Sequence, residues 1–555
     1  MTPKQKWLLV GIMMLAIFFR YYQIMNMPGG LFPDEAANGM DINAMMQGDL
    51  KPFYEGNNGR EALFFYMLWP SVEIFGRGHW QHHIVSALVG VVAVMGCFLV
   101  TRKMFSYLRP KQPDDKDEAV AESRATNLAL WAAFFMAVSS WHTVLSRTAF
   151  RANLIPLFAA FTFYFLLLAV SATTRAKRYM WAAITGATFS LGFYSYIAYR
   201  IMVPLIAVAV LWPLAVDIIK SPRFQQIKKY FGSAVIATVS AIIFIFPLAH
   251  YFYNHPGSFV GRSSHVSIFN PDLNHGDLWG TFVQVTIDSM RAYFWGGDLN
   301  WRHNVSGEAF LSIIISPFFA VGLIGVTLLA FRYAYAPLKN KYDWKYFLLI
   351  GWFLAMLIPS VTTAEGIPHG LRAIGTIPPV FIITAVGLMW VVGWSGKVVS
   401  KYWGSLSEMQ KKILNFAFGF KTVAFIIALI LHGFILYFIW GANSPENYFA
   451  FRSDLTTVSK YLNEYGDKEN TYLVLDKFSL MTVDYFTTET GRPYIQVDPE
   501  DSWKLTGLES GDKLVFAQSS LFDIKKFRQF HPNAVLVQDE RDKFNQTIMA
   551  ILEIK

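Results

Sequence analysis

IGTIPPVFIITAVGLMWVVGW, Ile374–Trp394, is an uncharged run of 21 residues with Arg372 just before it and Lys397 and Lys401 just after. As an α-helix it rises about 30 Å, the thickness of a hydrocarbon core, and satisfies its own backbone polar groups. It reads as a membrane span. Ten further apolar stretches have comparable length: Trp7–Ile24, Trp80–Val100, Leu128–Ser146, Leu154–Val170, Met180–Tyr196, Ile201–Ile219, Phe231–Tyr253, Phe310–Phe331, Trp344–Val361 and Val423–Trp440. The fold class expected is an α-helical polytopic membrane protein of about 11 transmembrane helices. Composition agrees: the chain is 54% hydrophobic, 17% aromatic and 16% charged, whereas soluble chains carry roughly a quarter charged residues.

Lys and Arg set the orientation, because basic loops resist translocation. With the N-terminus cytoplasmic, the inside segments are Met1–Lys6, Thr101–Arg124, Ser171–Tyr179, Lys220–Tyr230, Arg332–Lys345 and Ser395–Lys421, holding 24 of the 48 basic residues. Every one of these segments is basic, which predicts a multi-pass protein of the plasma (inner) membrane. Beyond Trp440 the chain holds 13 Lys+Arg against 18 Asp+Glu, a net charge of −5. The overall +9 therefore belongs to the membrane part and is not a nucleic-acid signature. Cys97 is the only cysteine, which excludes an internal disulfide and a cysteine metal site. The N-terminal apolar run lacks a small-residue cleavage site and reads as a retained first span.

Hydropathy divides the chain into a membrane domain, 1–440, and a small C-terminal exterior α/β domain, 441–555. Two exterior loops in the first part are long. Met25–His79 contains the turn Glu55-Gly56-Asn57-Asn58-Gly59 and an apolar stretch, Ala62–Phe75, too short to span and expected to lie at the interface. Asn254–Glu308 is rich in His, Asn, Asp, Gly and Trp, a composition suited to hydrogen-bonding a sugar. In the tail, Thr471–Leu475, Tyr494–Val497, Lys513–Ala517 and Ala534–Val537 read as strands, and Arg452–Tyr465, Leu480–Thr490 and Leu521–Phe530 as helices. No Gly-rich phosphate loop occurs at any strand-to-helix turn, so no nucleotide cofactor is expected.

Ionisable residues concentrate where the spans meet the exterior. Adjacent acids, Asp34 and Glu35, follow the first span in Leu31-Phe32-Pro33-Asp34-Glu35-Ala36-Ala37. Neighbouring helical positions point about 100° apart, so one carboxylate can face a cavity while the other supports it or binds a cation. Arg60 opens the interfacial helix, Arg147 and Arg151 lie between the third and fourth spans, and His369 and Arg372 precede the tenth. The planar guanidinium fork suits a phosphate. Asp288, Asp298, Arg302 and Trp295 lie in the second long loop; Trp295 could stack on a sugar face or sit in an interfacial aromatic belt. The acid pair could also hold a divalent cation, although no tight His/Asp ligand spacing is present and the metal question stays open.

The Pro-Asp-Glu-Ala after the first span, the Gly59-Arg60 step into a short apolar helix ending Phe75-Gly76, and the Arg372 leading into Ile374-Gly375-Thr376-Ile377-Pro378-Pro379 resemble one superfamily. It is that of multi-spanning GT-C-type glycosyltransferases using lipid-phosphate sugars, of protein O-mannosyltransferase and aminoarabinose-transferase type in their prokaryotic branch. The resemblance covers roughly Trp7–Trp440, span count and exterior tail included. It implies inverting transfer of a hexosyl or pentosyl unit from a polyprenyl-phosphate donor to a hydroxyl of a protein, lipid or glycan acceptor. Asp34 would be the general base, Glu35 its supporting or cation-binding neighbour, and Arg60 and Arg372, with Arg147 and Arg151, would contact the donor phosphate. His369, Asp288 and Trp295 would contact substrate. Two positions depart from the pattern: Arg60 stands where relatives often have Lys, and His82-His83 where Arg is common.

A transporter or flippase of a lipid-linked or sugar substrate is the rival reading. It should show repeated halves, broken helices and ionisable groups near the midplane. A receptor or scaffold would explain the exterior domain but leave the acid–Arg constellation without a role.

Overall fold

A computed structural model describes the whole chain except residues 108–114, 221–224, 261–265, 338 and 340–342. Arg262 and part of the charged segment 110–122 lie outside the described residues. Two compact units are present. One comprises Met1–Tyr22, Asn58–Phe64 and Ser86–Phe438; the other comprises Gln23–Asn57, Phe65–Val85 and Ile439–Lys555.

The first unit is a helical bundle, and each of the eleven expected stretches overlaps helix, with the third split between two helices and the eighth helical only from Ser316. Among the described residues seven helices are long and apolar enough to cross a membrane, or eight if one bent pair is a single span. The count of 11 is therefore not reached by length and composition alone. The helix Pro3–Tyr21, for example, carries Lys4, Lys6 and Arg20. Helices approach closely where they present glycine. Cβ atoms built on Gly322 and Gly387 would lie 2.1 and 1.9 Å from the carbonyl oxygens of Ile383 and Phe318, so Ser316–Tyr335 and Ile377–Tyr402 pack backbone to backbone.

The third expected span, Leu128–Ser146, is broken. Asp115–Val138 and Ser140–Arg147 form a pair bent by 60°. A break inside a bilayer frees backbone carbonyls, which need donors. Arg20 supplies them: its guanidinium donates to the carbonyls of Ala137 at 2.6 Å and Met136 at 3.0 Å. Ser139 caps the second half through the amide of His142.

The second unit carries a five-stranded sheet: β1 (Thr471–Val474), β2 (Ile495–Val497), β3 (Lys513–Ala517), β4 (Ala534–Arg541) and β5 (Thr547–Ile554), in the order β2-β1-β3-β5-β4. β1 pairs in parallel with β2 and β3, and β5 antiparallel with β3 and β4. Leu473, Val515 and Ile551 pack on one face against Leu455, Val458 and Leu462 of helix Ser453–Tyr465. Val474, Phe516 and Leu552 pack on the other against Phe527. Helices and strands appear where expected, and β5 is an addition.

Hydropathy places the tail boundary at 440/441, but the compact unit is larger than the tail. The helix Pro33–Met46 of the first long loop packs on Lys477–Phe486. Leu31, Ala36 and Tyr485 form one buried cluster, and the Thr482 hydroxyl donates to the Leu31 carbonyl at 3.1 Å. Gly39 lies against the Tyr485 ring, where an added Cβ would come within 2.3 Å. Arg77 donates to Asn43 at 3.1 Å and pairs with Glu489. The stretch expected as an interfacial helix is helical over Leu63–Phe75.

Candidate functional site

In the second unit the acid pair occupies the first turn of Pro33–Met46, begun by Pro33, whose missing N–H is no loss there. Asp34 is half-buried and accepts from the Asn57 side-chain amide at 2.7 Å. Asn57 sits at φ 48°, a left-handed conformation that Asn tolerates better than most residues. The Glu55–Gly59 turn thus brings an orienting donor to Asp34. Glu35 is fully buried. One of its oxygens accepts from the Phe32 amide at 3.0 Å and the other lies 3.2 Å from His83 Nε2. The two acids differ in environment: Glu35 ties down the helix start, and Asp34 keeps a partly exposed carboxylate.

The arginines belong to the first unit and divide into two groups. Arg147 is fully buried: Nε donates to the Tyr437 hydroxyl at 3.0 Å and NH1 to the Arg20 carbonyl at 2.8 Å. The Tyr437 and Phe438 rings flank its guanidinium. This geometry holds helices together. Arg151 pairs with Glu61 at 3.1 Å, donates to the Gly59 carbonyl and lies over the Tyr196 ring. Arg60 is buried beside Glu61. Arg372 donates to the Glu365 carbonyl and lies 3.5 Å from its carboxylate.

His369 belongs to a cluster. Asp298 Oδ2 lies 3.0 Å from His303 Nδ1 and 3.9 Å from His369 Nδ1, and accepts from the Gly370 amide at 2.7 Å. The imidazoles stack with centroids 4.5 Å apart. Burial lowers the pKa of both histidines, despite the nearby Asp298 acting in the opposite direction on His303. The turn between the third and fourth expected spans joins this cluster: Phe150 packs on His303, and the Thr148 hydroxyl donates to the Arg302 carbonyl at 3.2 Å. Asp298, His303 and His369 are the one group among the described residues with metal-ligand geometry. His303 is missing from the sequence-based candidates. Its signal, an acid five residues earlier, is weak without His369, which is remote in sequence.

Asp288 makes a surface pair with Arg291 at 3.1 Å and accepts from Gln284, and Trp295 is exposed. Among the described residues, neither is hydrogen-bonded to, paired with or stacked on the histidine cluster.

No family model matches the chain, and no curated protein matches it by sequence. Solved structures do. ArnT from Cupriavidus metallidurans bound to undecaprenyl phosphate superposes with a TM-score of 0.53 at 11% identity, covering 98% of this chain and 97% of that one. ArnT in the apo state gives 0.52 at 11% identity, with 99% and 96% covered. The Archaeoglobus fulgidus oligosaccharyltransferase tethered to an acceptor peptide gives 0.51 at 13% identity, with 98% and 74% covered. At such identities the fold is what is shared, and it runs the length of the chain: this multi-pass membrane protein has the fold seen in ArnT and in the archaeal oligosaccharyltransferase.

Proposed function

We propose that the chain is an inverting glycosyltransferase moving one monosaccharide, hexosyl or pentosyl, from a polyprenyl-phosphate carrier to an acceptor hydroxyl on the exterior face of the plasma membrane. The observation that carries this reading is the half-buried Asp34 carboxylate, oriented by Asn57, in a chain whose whole length follows a fold used by lipid-carrier glycosyltransferases. Asp34 accepts the acceptor's hydroxyl proton as the acceptor oxygen bonds to the anomeric carbon. The bond from that carbon to the phosphate oxygen breaks, and polyprenyl phosphate leaves. Positioned base catalysis contributes about 100- to 10,000-fold. Arg372, with Arg60 and Arg151, neutralises the departing phosphate, since fixed cations in a poorly solvated site stabilise developing charge. Glu35 acts by holding the Asp34 helix rather than as a second base. In this reading the N-terminus is cytoplasmic, and the tail 441–555, together with the first-loop helix, faces the exterior and contributes to acceptor selection.

The test uses purified protein in nanodiscs with labelled polyprenyl-phosphate sugar and a panel of protein, lipid and glycan acceptors. Free polyprenyl phosphate released only when donor and acceptor are both present supports transfer. Movement of intact donor across the membrane without release would support the transporter reading instead.

A further inference from the structure

We infer that Asp298, His303 and His369 form a binding site for a divalent transition-metal ion, Zn2+ by the chemistry of the donors. The inference stands apart from the reading of the reaction. Three protein ligands from two distant segments offer one atom each, and all these atoms lie within 4.8 Å of one another. Tetrahedral Zn2+ with bonds of about 2.0–2.2 Å places its ligand atoms roughly 3.3 Å apart. The two Asp298–histidine separations, 3.0 and 3.9 Å, bracket that value, and the ligand atoms all lie within 4.8 Å of one another, so an ion fits once the imidazoles draw in toward it.

A hydrogen-bonded hub accounts for part of this arrangement but not all of it. Asp298 Oδ1 accepts from the Asn300 amide at 2.8 Å, Oδ2 accepts from Gly370, and His303 is within hydrogen-bond distance. His369 Nδ1 accepts from the Arg372 amide at 3.4 Å, while its approach to Oδ2, at 3.9 Å, is too long for a hydrogen bond and its ring is stacked on His303. Two imidazoles and one carboxylate suit Zn2+, whereas Mg2+ and Ca2+ favour all-oxygen sets. Asp298 and His303 are buried and His369 is nearly so, which leaves the fourth position for a water or a substrate oxygen. Binding through Nδ1 moves the proton of the neutral His303 ring to Nε2 and exchanges a hydrogen bond for a metal bond. The ion would clip the second long loop to the turn that opens the tenth span. That fixes Arg302, next to His303, and Arg372, one turn after His369.

The full-length protein, prepared without a polyhistidine tag and stripped with a chelator, is titrated with Zn2+ and with Co2+. Expected are one ion per chain by mass spectrometry of metals, the visible absorption of tetrahedral Co2+, and a Zn2+-dependent rise in melting temperature, since an ion that binds only the folded state stabilises it. His303→Ala and His369→Ala should each lose the Co2+ band and the thermal shift. His531→Ala, a histidine of the tail, should keep both. Asp298→Asn also removes an acceptor for two backbone amides, so the histidine variants decide the question. A wild-type protein that takes up no ion, or histidine variants that bind as well as wild type, would overturn the site.

Discussion

Gly39→Ala should weaken the platform that holds Asp34, because the Pro33–Met46 helix meets the tail at this residue. The added methyl would lie 2.3, 2.6 and 2.7 Å from three atoms of the Tyr485 ring. Carbon atoms pack at about 3.5–4.0 Å, so helix or ring must move by more than an ångström. Tyr485 has little room: it is fully buried, and the His82 ring lies edge-on at 5.4 Å. Replacing glycine inside a helix returns about 0.5–1 kcal/mol, whereas forcing a methyl into a packed contact costs about 1–3 kcal/mol. The expected net loss is about 1–2 kcal/mol, with turnover falling further because Asp34 lies on the displaced helix. Thermal unfolding in detergent and release of polyprenyl phosphate are the readouts. Gly11→Ala is the control, since nothing lies within 4 Å of its added Cβ. Tyr485→Leu should restore much of the loss in the double variant, with a coupling of about 0.5–3 kcal/mol. Wild-type melting and turnover in Gly39→Ala would refute the packing argument.

Deleting Gly441–Lys555 removes Thr482 and Tyr485 and uncovers Leu31 and Ala36. The truncated chain should insert but lose turnover, with residues 23–57 becoming sensitive to protease; wild-type turnover would contradict the shared unit. Arg147→Ala strips donors from the Arg20 carbonyl and the Tyr437 hydroxyl. Hydrogen bonds to a charged group contribute about 1.5–3 kcal/mol each, so this variant should melt markedly lower. Arg372→Ala, by contrast, should keep its melting temperature and bind donor more weakly. A stable Arg147→Ala that loses donor affinity would return Arg147 to the donor site.

Hydropathy revealed the helices because each apolar run had to bury or face lipid, and each of the eleven expected stretches overlaps helix, although 310–315 is not helical and Leu128–Ser146 is split between two helices. The break at Ser139 was hidden because its cause lies elsewhere: Arg20, in the first helix, accepts the cost of the freed carbonyls. β5 was missed for a different reason. Thr547–Ile554 is buried on both faces and so lacks the alternation that marks a half-exposed strand. The acid pair stood out because two adjacent carboxylates follow the first apolar stretch. The attachment of its helix to the tail was not, since Gly39 and Tyr485 are ordinary residues until the chain folds. The histidine cluster escaped notice because its ligands come from separate loops.

Turnover of Asp34→Asn tests the central claim most directly. The change keeps the size of the side chain and its position beside Asn57 while removing proton acceptance. Polyprenyl phosphate release by this variant, measured at saturating donor and acceptor, should fall at least about 100-fold with no change in melting temperature or donor affinity. Near-normal turnover would contradict the account, because no other carboxylate has been assigned the acceptor's proton.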